Sequence, residues 1–190
     1  MKNIMPALRS YLFFTVLLGL LYPLVMTGLA QIFFAEKAGG SLIYNKEGQV
    51  VGSSLIAQKF ENPKYFWPRP SSQDYNPLPS GGTNLGMTSQ DLKKSVDERR
   101  AKWAEAASSS AEVPLDLLFA SGSGLDPHIS PAAAQYQAAR VAQVRGLETQ
   151  QVQDLVNTMT RGRQFGILGE PTVNVLVLNK ALDEMAEVKN

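Results

Sequence analysis

The chain has 190 residues, with 18 Lys and Arg against 17 Asp and Glu and a formal net charge of +1, a balance that excludes the broad basic surface a nucleic-acid-binding protein needs. It has no cysteine and a single histidine, His128. Disulfides, thiolate chemistry and metal centres built on thiolates or a histidine pair are thereby excluded.

Charge is absent altogether from 11 to 35, YLFFTVLLGLLYPLVMTGLAQIFFA. As a helix this run reaches about 37 Å at roughly 1.5 Å per residue, enough to cross a hydrocarbon core of about 30 Å. The expected organisation is a cytoplasmic N-terminus at 1–10, a transmembrane helix at 11–35 in contact with the lipid bilayer, and one soluble domain at 36–190. A cleaved signal peptide is the alternative, since Lys2 and Arg9 precede the run and Gly28-Leu29-Ala30 has a small-x-small pattern. The apolar region of such a peptide, however, is only about 7–15 residues long. Lys2, Arg9 and the terminal amine stand before the span, Lys37 and Lys46 after it. That bias favours a cytoplasmic N-terminus and an extracytoplasmic domain. Within the span Thr15, Gly19, Pro23, Thr27 and Gln31 recur every fourth residue, a ridge of small and polar side chains suited to close packing against a partner helix. Pro23 is expected to free a carbonyl near residue 19 and to kink the helix.

Beyond the span, two short runs at 41–44 and 49–53 flank Asn45-Lys46-Glu47-Gly48 and read as a hairpin. From 60 to 87 prolines are too dense for a helix, yet Tyr65, Phe66, Trp67 and Tyr75 make a disordered linker implausible. This segment is expected to be ordered and wrapped on the domain or a partner. A helix follows with Leu92, Val96 and Trp103 on one face and Thr88 with Asp91 as an imperfect capping box, then a small-residue break at 108–111. Val113-Pro114 opens a short helix through Phe119, and Ser130-Pro131 a longer one that Gly146 ends. Thr149 is placed as cap of the next, with Val152, Leu155, Val156 and Met159 inward and Gly162 as its stop. A last helix is expected from 174 to 187 with Val175, Leu178, Leu182 and Met185 inward, although VNVLVL could equally be a strand. The fold class is thus a single N-terminal transmembrane helix plus one α+β extracytoplasmic domain, mostly helical in its second half.

Chemistry is sparsely marked. His128 could form a hydrolytic dyad with Ser121, Ser123 or Ser130, or serve as a structural loop histidine. SGGTNLG at 80–86 and ASGSGLDPHISP at 120–131 are glycine-rich but lack the Lys-Ser/Thr ending of a Walker loop. They read either as turns with a helix cap or as a backbone nest for an anion. Tyr65, Phe66, Trp67 and the loop bearing His128 suit domain docking on a partner, because prolines lower the entropy cost of ordering and aromatic rings anchor interfaces; the same rings could instead fill the domain's own core. A membrane-anchored hydrolase using His128 and an extracytoplasmic solute-binding module are the readings left open.

YPLVMTGLAQIFF, GSLIYNKEGQVVGSSLIAQKF, YFWPRPSSQDYN, SGGTNLG, ASGSGLDPHISPAAAQYQAARVAQVRG and VNVLVLNKALDEM together resemble the C-subunit family of the Kdp potassium-transporting ATPases, over nearly the whole chain. The resemblance implies a non-catalytic subunit of an inner-membrane, ATP-driven potassium importer. Its partners would be a channel-like potassium-translocating subunit and a P-type ATPase subunit. ATP and Mg would act at the ATPase partner, with no cofactor or metal belonging to this chain. The resemblance further implies an assembly role and a catalytic-chaperone role that raises the partner's affinity for ATP. Nucleotide contact is implied at Gln137 and at the loop Ser121, Gly122, Ser123 and Gly124.

Overall fold

A computed structural model describes residues 3–107 and 111–187, and the chain divides after Leu42 into two compact units. The expectations on Lys2 and on the break at 108–110 lie outside these residues.

The first unit is one apolar helical run, Ile4–Phe33, long enough to cross a membrane and with none of its most apolar stretch buried in the protein. It starts earlier than the uncharged run suggests, since Arg9 lies inside α1 (Ile4–Val16), and it ends at Phe34, before a single turn, α3 (Ala35–Ala38). Between α1 and α2 (Tyr22–Phe33) lies a π-helical segment, Leu17–Leu21, in which the Tyr22 N–H reaches the Leu17 carbonyl. Pro23 lacks the N–H that would close an α turn onto residue 19, and the widened turn immediately before it absorbs that loss without interrupting the helix. The π turn also bears on the four-residue ridge. Four residues overshoot a full circle in an α turn and fall short of one in a π turn, so the segment cancels part of the ridge's drift around the axis.

In the second unit β1 (Leu42–Tyr44) and β2 (Val50–Ser53) form the expected hairpin. Its turn is held by the Gln49 N–H on Asn45 Oδ1 at 2.8 Å and by Gly48 at φ +76°, a conformation glycine adopts without a Cβ penalty. Residues 54–88 contain no helix or strand. The helices α4 (Gln90–Ala106), α5 (Leu115–Leu118), α6 (Pro131–Arg145), α7 (Thr149–Met159) and α8 (Val175–Glu187) follow. Two residues of β3 (His128–Ile129) pair antiparallel with two of β4 (Val173–Asn174).

Several helix ends differ from expectation by a residue or more. Ser89, not Thr88, caps α4, its hydroxyl accepting the Leu92 N–H. Glu148, not Thr149, caps α7 in a reciprocal box with Gln151, which satisfies two amides at once. α7 stops before Gly162, with Thr160 turning its hydroxyl to the Val156 carbonyl. The VNVLVL stretch is both strand and helix: Val173 and Asn174 pair with β3, then the Asn174 carboxamide oxygen accepts the Val177 N–H and starts α8.

The core joins Val96 and Trp103 of α4, Leu117 and Leu118 of α5, Val152 and Val156 of α7, and Leu178 and Leu182 of α8 around α6. The inner face of α6 is mostly alanine, with Ala133, Ala134, Ala138 and Ala142 essentially inaccessible. Such small side chains let neighbouring backbone approach closely, and this is what admits the proline-rich segment to the core.

Candidate functional site

Residues 62–65 form a turn, with the Tyr65 N–H on the Asn62 carbonyl at 3.1 Å, and lead Phe66 and Trp67 between α6 and α8. The backbone of such a segment must find partners once it is buried; here they are side chains rather than another strand. The Asn179 carboxamide takes both polar groups of Phe66, accepting its N–H at 2.8 Å and donating to its carbonyl at 3.0 Å. Gln137 does the same for Trp67, at 2.8 and 3.1 Å. Arg140 donates to the carbonyls of Pro63 and Tyr65 and to Gln137 Oε1. Arg145 donates to the Lys64 carbonyl at 2.7 Å and pairs with Asp183 at 2.7 Å, where the Tyr65 hydroxyl also donates.

Arg140 is the centre of this clamp. Its guanidinium lies 4.1 Å from the centre of the Trp67 ring, a cation–π stack, and no carboxylate pairs with it among the described residues. Burial lowers its pKa to about 10, so it stays charged at neutral pH. Gln137 is inaccessible to solvent, and both ends of its amide are engaged by Trp67 and Arg140. The residue implied in nucleotide contact therefore holds the Trp67 backbone in place and offers no open face.

The two glycine-rich segments, far apart in sequence, meet. The Gly81 N–H donates to the Ser123 carbonyl and the Ser121 N–H to that of Pro70, both at 3.0 Å. Gly124 has φ +71°, and a Cβ there would stand 3.0 Å from the Gly81 carbonyl oxygen; one on Gly82 would stand equally close to that of Gly122. Close approach of two backbones is thus the reason for glycine at 82 and 124. Ser121 is buried, whereas Gly122 and Ser123 are exposed.

Past this loop, Asp126 accepts from Arg69 at 3.1 Å and from the His128 N–H at 3.0 Å, with His128 Nδ1 at 3.6 Å. The hydroxyls of Ser123 and Ser130 accept the amides of Leu125 and Ala133, and no hydrogen bond joins the imidazole to a serine among the described residues. Of the two readings of His128, the dyad is not assembled, as the hydroxyls of Ser123 and Ser130 face backbone amides. Burial works to raise the Asp126 pKa, but hydrogen bonds from His128 and the Arg69 charge outweigh it and hold the carboxyl below its ordinary value. An acid depressed in this way stabilises the fold above its unfolded value, and the contribution is lost as pH falls through the folded one. Urea titrations of wild type and Asp126→Asn should therefore differ by a constant amount at pH 6–7, and the difference should shrink below about pH 4. A gap that persists unchanged in acid would exclude this role.

Of the residues expected to dock, Phe66 is completely buried in the core, and Tyr65, Trp67 and His128 are half-buried. The inaccessibility of Phe66 follows from the side-chain clamp, which draws its backbone between two helices. The span residues Thr15, Gly19, Pro23, Thr27 and Gln31 are all exposed; Thr15 turns its hydroxyl back to the Tyr11 carbonyl, and the space beside Gly19 is open. Beside Trp67 lies a cavity of about 280 Å³ that sequence reasoning missed, lined by Lys59, Tyr75, Arg99, Lys102 and Trp103. Its only sequence trace is Arg99, Lys102 and Trp103 within one turn of α4. Lys59 pairs with Glu61 and Asp74, Arg99 donates to the Leu118 carbonyl and Lys102 rests on the Trp67 ring, so each cation already has a place in the fold. No group of metal-ligating side chains occurs among the described residues.

The family model described as K+-transporting ATPase, c chain, matches residues 4–184. The chain is 49% identical to the potassium-transporting ATPase KdpC subunit of Geobacter metallireducens, covering 98% of this chain and 100% of that one. It is 52% identical to the subunit of the same name in Methylococcus capsulatus, over 95% and 96% of the two chains. The identity to that of Pectobacterium atrosepticum is also 52%, over 93% and 96%.

Proposed function

The chain belongs to the KdpC family, the c chains of K+-transporting ATPases, and from that premise we propose that it is a non-catalytic subunit joining a channel-like potassium-translocating subunit to a P-type ATPase subunit. It is held in the inner membrane by the Ile4–Phe33 helix, with the N-terminus cytoplasmic and the domain outside. The ridge from Thr15 to Gln31 packs against a helix of the channel-like partner. ATP and Mg are bound by the ATPase partner, and the chain raises that partner's affinity for ATP by fixing the geometry of the complex.

The observation that carries an indirect effect on ATP is the state of Gln137. A glutamine whose amide is engaged at both ends by Trp67 and Arg140 positions a scaffold, and unmaking those bonds to reach a ligand would leave buried polar groups unpaired at about 1–3 kcal/mol each. The test is photolabelling of the intact complex with azido-ATP, together with ATPase assays with and without this chain. Omission is expected to raise the half-saturating ATP concentration about tenfold, equivalent to roughly 1.4 kcal/mol, while the label falls on the ATPase subunit alone. Label on residues 121–137 of this chain would replace the indirect reading with direct contact.

A further inference from the structure

Between α7 and β4 the chain leaves the core as a small hairpin whose residues 161–170 are all exposed. It is not loose. Arg161 and Thr172 exchange both backbone hydrogen bonds at 2.8 and 3.0 Å, and Gln164 and Leu168 exchange theirs at 2.8 and 2.9 Å. Across the stem the single Arg163 nitrogen Nη2 reaches both oxygens of Glu170, at 2.8 and 2.7 Å, a charge-assisted pair. The tip nevertheless carries Phe165, 91% exposed, Ile167, 75%, and Leu168, 55%. Phe165 also takes φ +53°, a conformation that costs a residue with a Cβ about 1–2 kcal/mol. The turn itself explains that backbone, since φ is positive at both Phe165 and Gly166 and the Ile167 N–H reaches the Gln164 carbonyl at 3.2 Å, as hairpin turns favour; it does not call for an aromatic and two aliphatic side chains in water at its tip, and such a patch points to a use.

The three side chains offer roughly 400 Å² of apolar surface, the size of a functional patch on a monomer. A standard interface takes about 800 Å² from each partner. Two copies of the tip packed on each other would therefore fall short of a stable dimer, whereas a rigid apolar knob is well suited to anchor a larger contact. Charge narrows the partner further. Glu170 neutralises Arg163, which leaves Arg161 at the base as the hairpin's one cation with no ion pair among the described residues; a loop built for anionic lipid would carry several. One cation beside an apolar tip matches an apolar cleft with a carboxylate at its edge.

We propose that the 161–172 hairpin is a docking knob, with Phe165 and Ile167 seated in an apolar, acid-rimmed cleft on the water-exposed face of another subunit of the transporter. This rests on the subunit role proposed above. The test places p-benzoylphenylalanine at position 165 of the full-length chain in the assembled complex, with position 87 as control because Met87 is 99% exposed elsewhere. Irradiation is expected to join position 165 to one apolar peptide of another transporter subunit that carries Asp or Glu, and position 87 to give no such product. Phe165→Ser with Ile167→Ser should reduce the partner co-purified in detergent at least tenfold without moving the melting temperature of this chain, while Met87→Ser changes neither. Cross-linking only to lipid, to a second copy of the chain or to nothing overturns the proposal, as does undiminished co-purification of the double variant. If the wild-type chain itself retains no transporter subunit, the subunit role fails first, a result distinct from failure of the knob alone.

Discussion

Arg140→Ala is expected to lower the unfolding free energy of the domain by about 3–5 kcal/mol, read from urea denaturation. Two terms oppose each other at this site. Burying a guanidinium without a carboxylate is costly, as its lowered pKa of about 10 reflects, and the substitution relieves that cost. Against this, the carbonyls of Pro63 and Tyr65 lose their donor and the Oε1 of Gln137 loses one of two, keeping the Trp67 N–H. Each acceptor left unpaired in this part-buried site costs about 1–3 kcal/mol, and the Trp67 ring loses the group stacked on it. The losses outweigh the relief. Arg140→Met separates hydrogen bonding from packing, since methionine restores volume but no donor; it should recover only a minor part of the loss. Stability within about 0.5 kcal/mol of wild type in either variant would show that the clamp does not hold residues 63–67.

Phe66→Ala should be of similar size, about 3–5 kcal/mol, because the ring is completely buried and a cavity remains where the helices cannot close in. Its expected consequence for the complex is secondary. Assembly should fail in proportion to the unfolded fraction and recover at low temperature or with a stabilising osmolyte. The opposite pattern, a stable domain that no longer assembles, would return Phe66 to the docking surface where an aromatic among prolines first suggests placing it. Phe66 and Phe165 make an instructive pair: the ring that lay in a conspicuous aromatic cluster is structural, and the one in an unremarkable glycine-flanked loop is offered to solvent.

Much of the chain was legible from its residues. The uncharged run at 11–35 implies a long apolar helix because hydropathy and length are local quantities. Ser130, Pro131 and Gly146 mark the ends of α6 correctly, since capping is settled among residues four or fewer apart. The inward positions Val152, Val156, Leu178 and Leu182 follow from helical periodicity alone. Even where the cap was placed one residue away, on Thr88 rather than Ser89 and on Thr149 rather than Glu148, the helix itself was plain and only its first residue was not.

Only the tertiary structure decided what surrounds residues 63–67. Gln137, Arg140 and Asn179 would be assigned to the surface by polarity, and they are buried because they replace a missing strand, bonding backbone groups 70 to 113 residues away. A backbone paired with side chains imposes neither a period of two nor one of 3.6, so no pattern in either segment announces the match. The meeting of Gly81 and Gly82 with Ser121–Gly124 is hidden for the same reason: Gly82 and Gly124 are each explained by a turn locally, and only the fold shows a second backbone within about 3.0 Å of where a Cβ would stand.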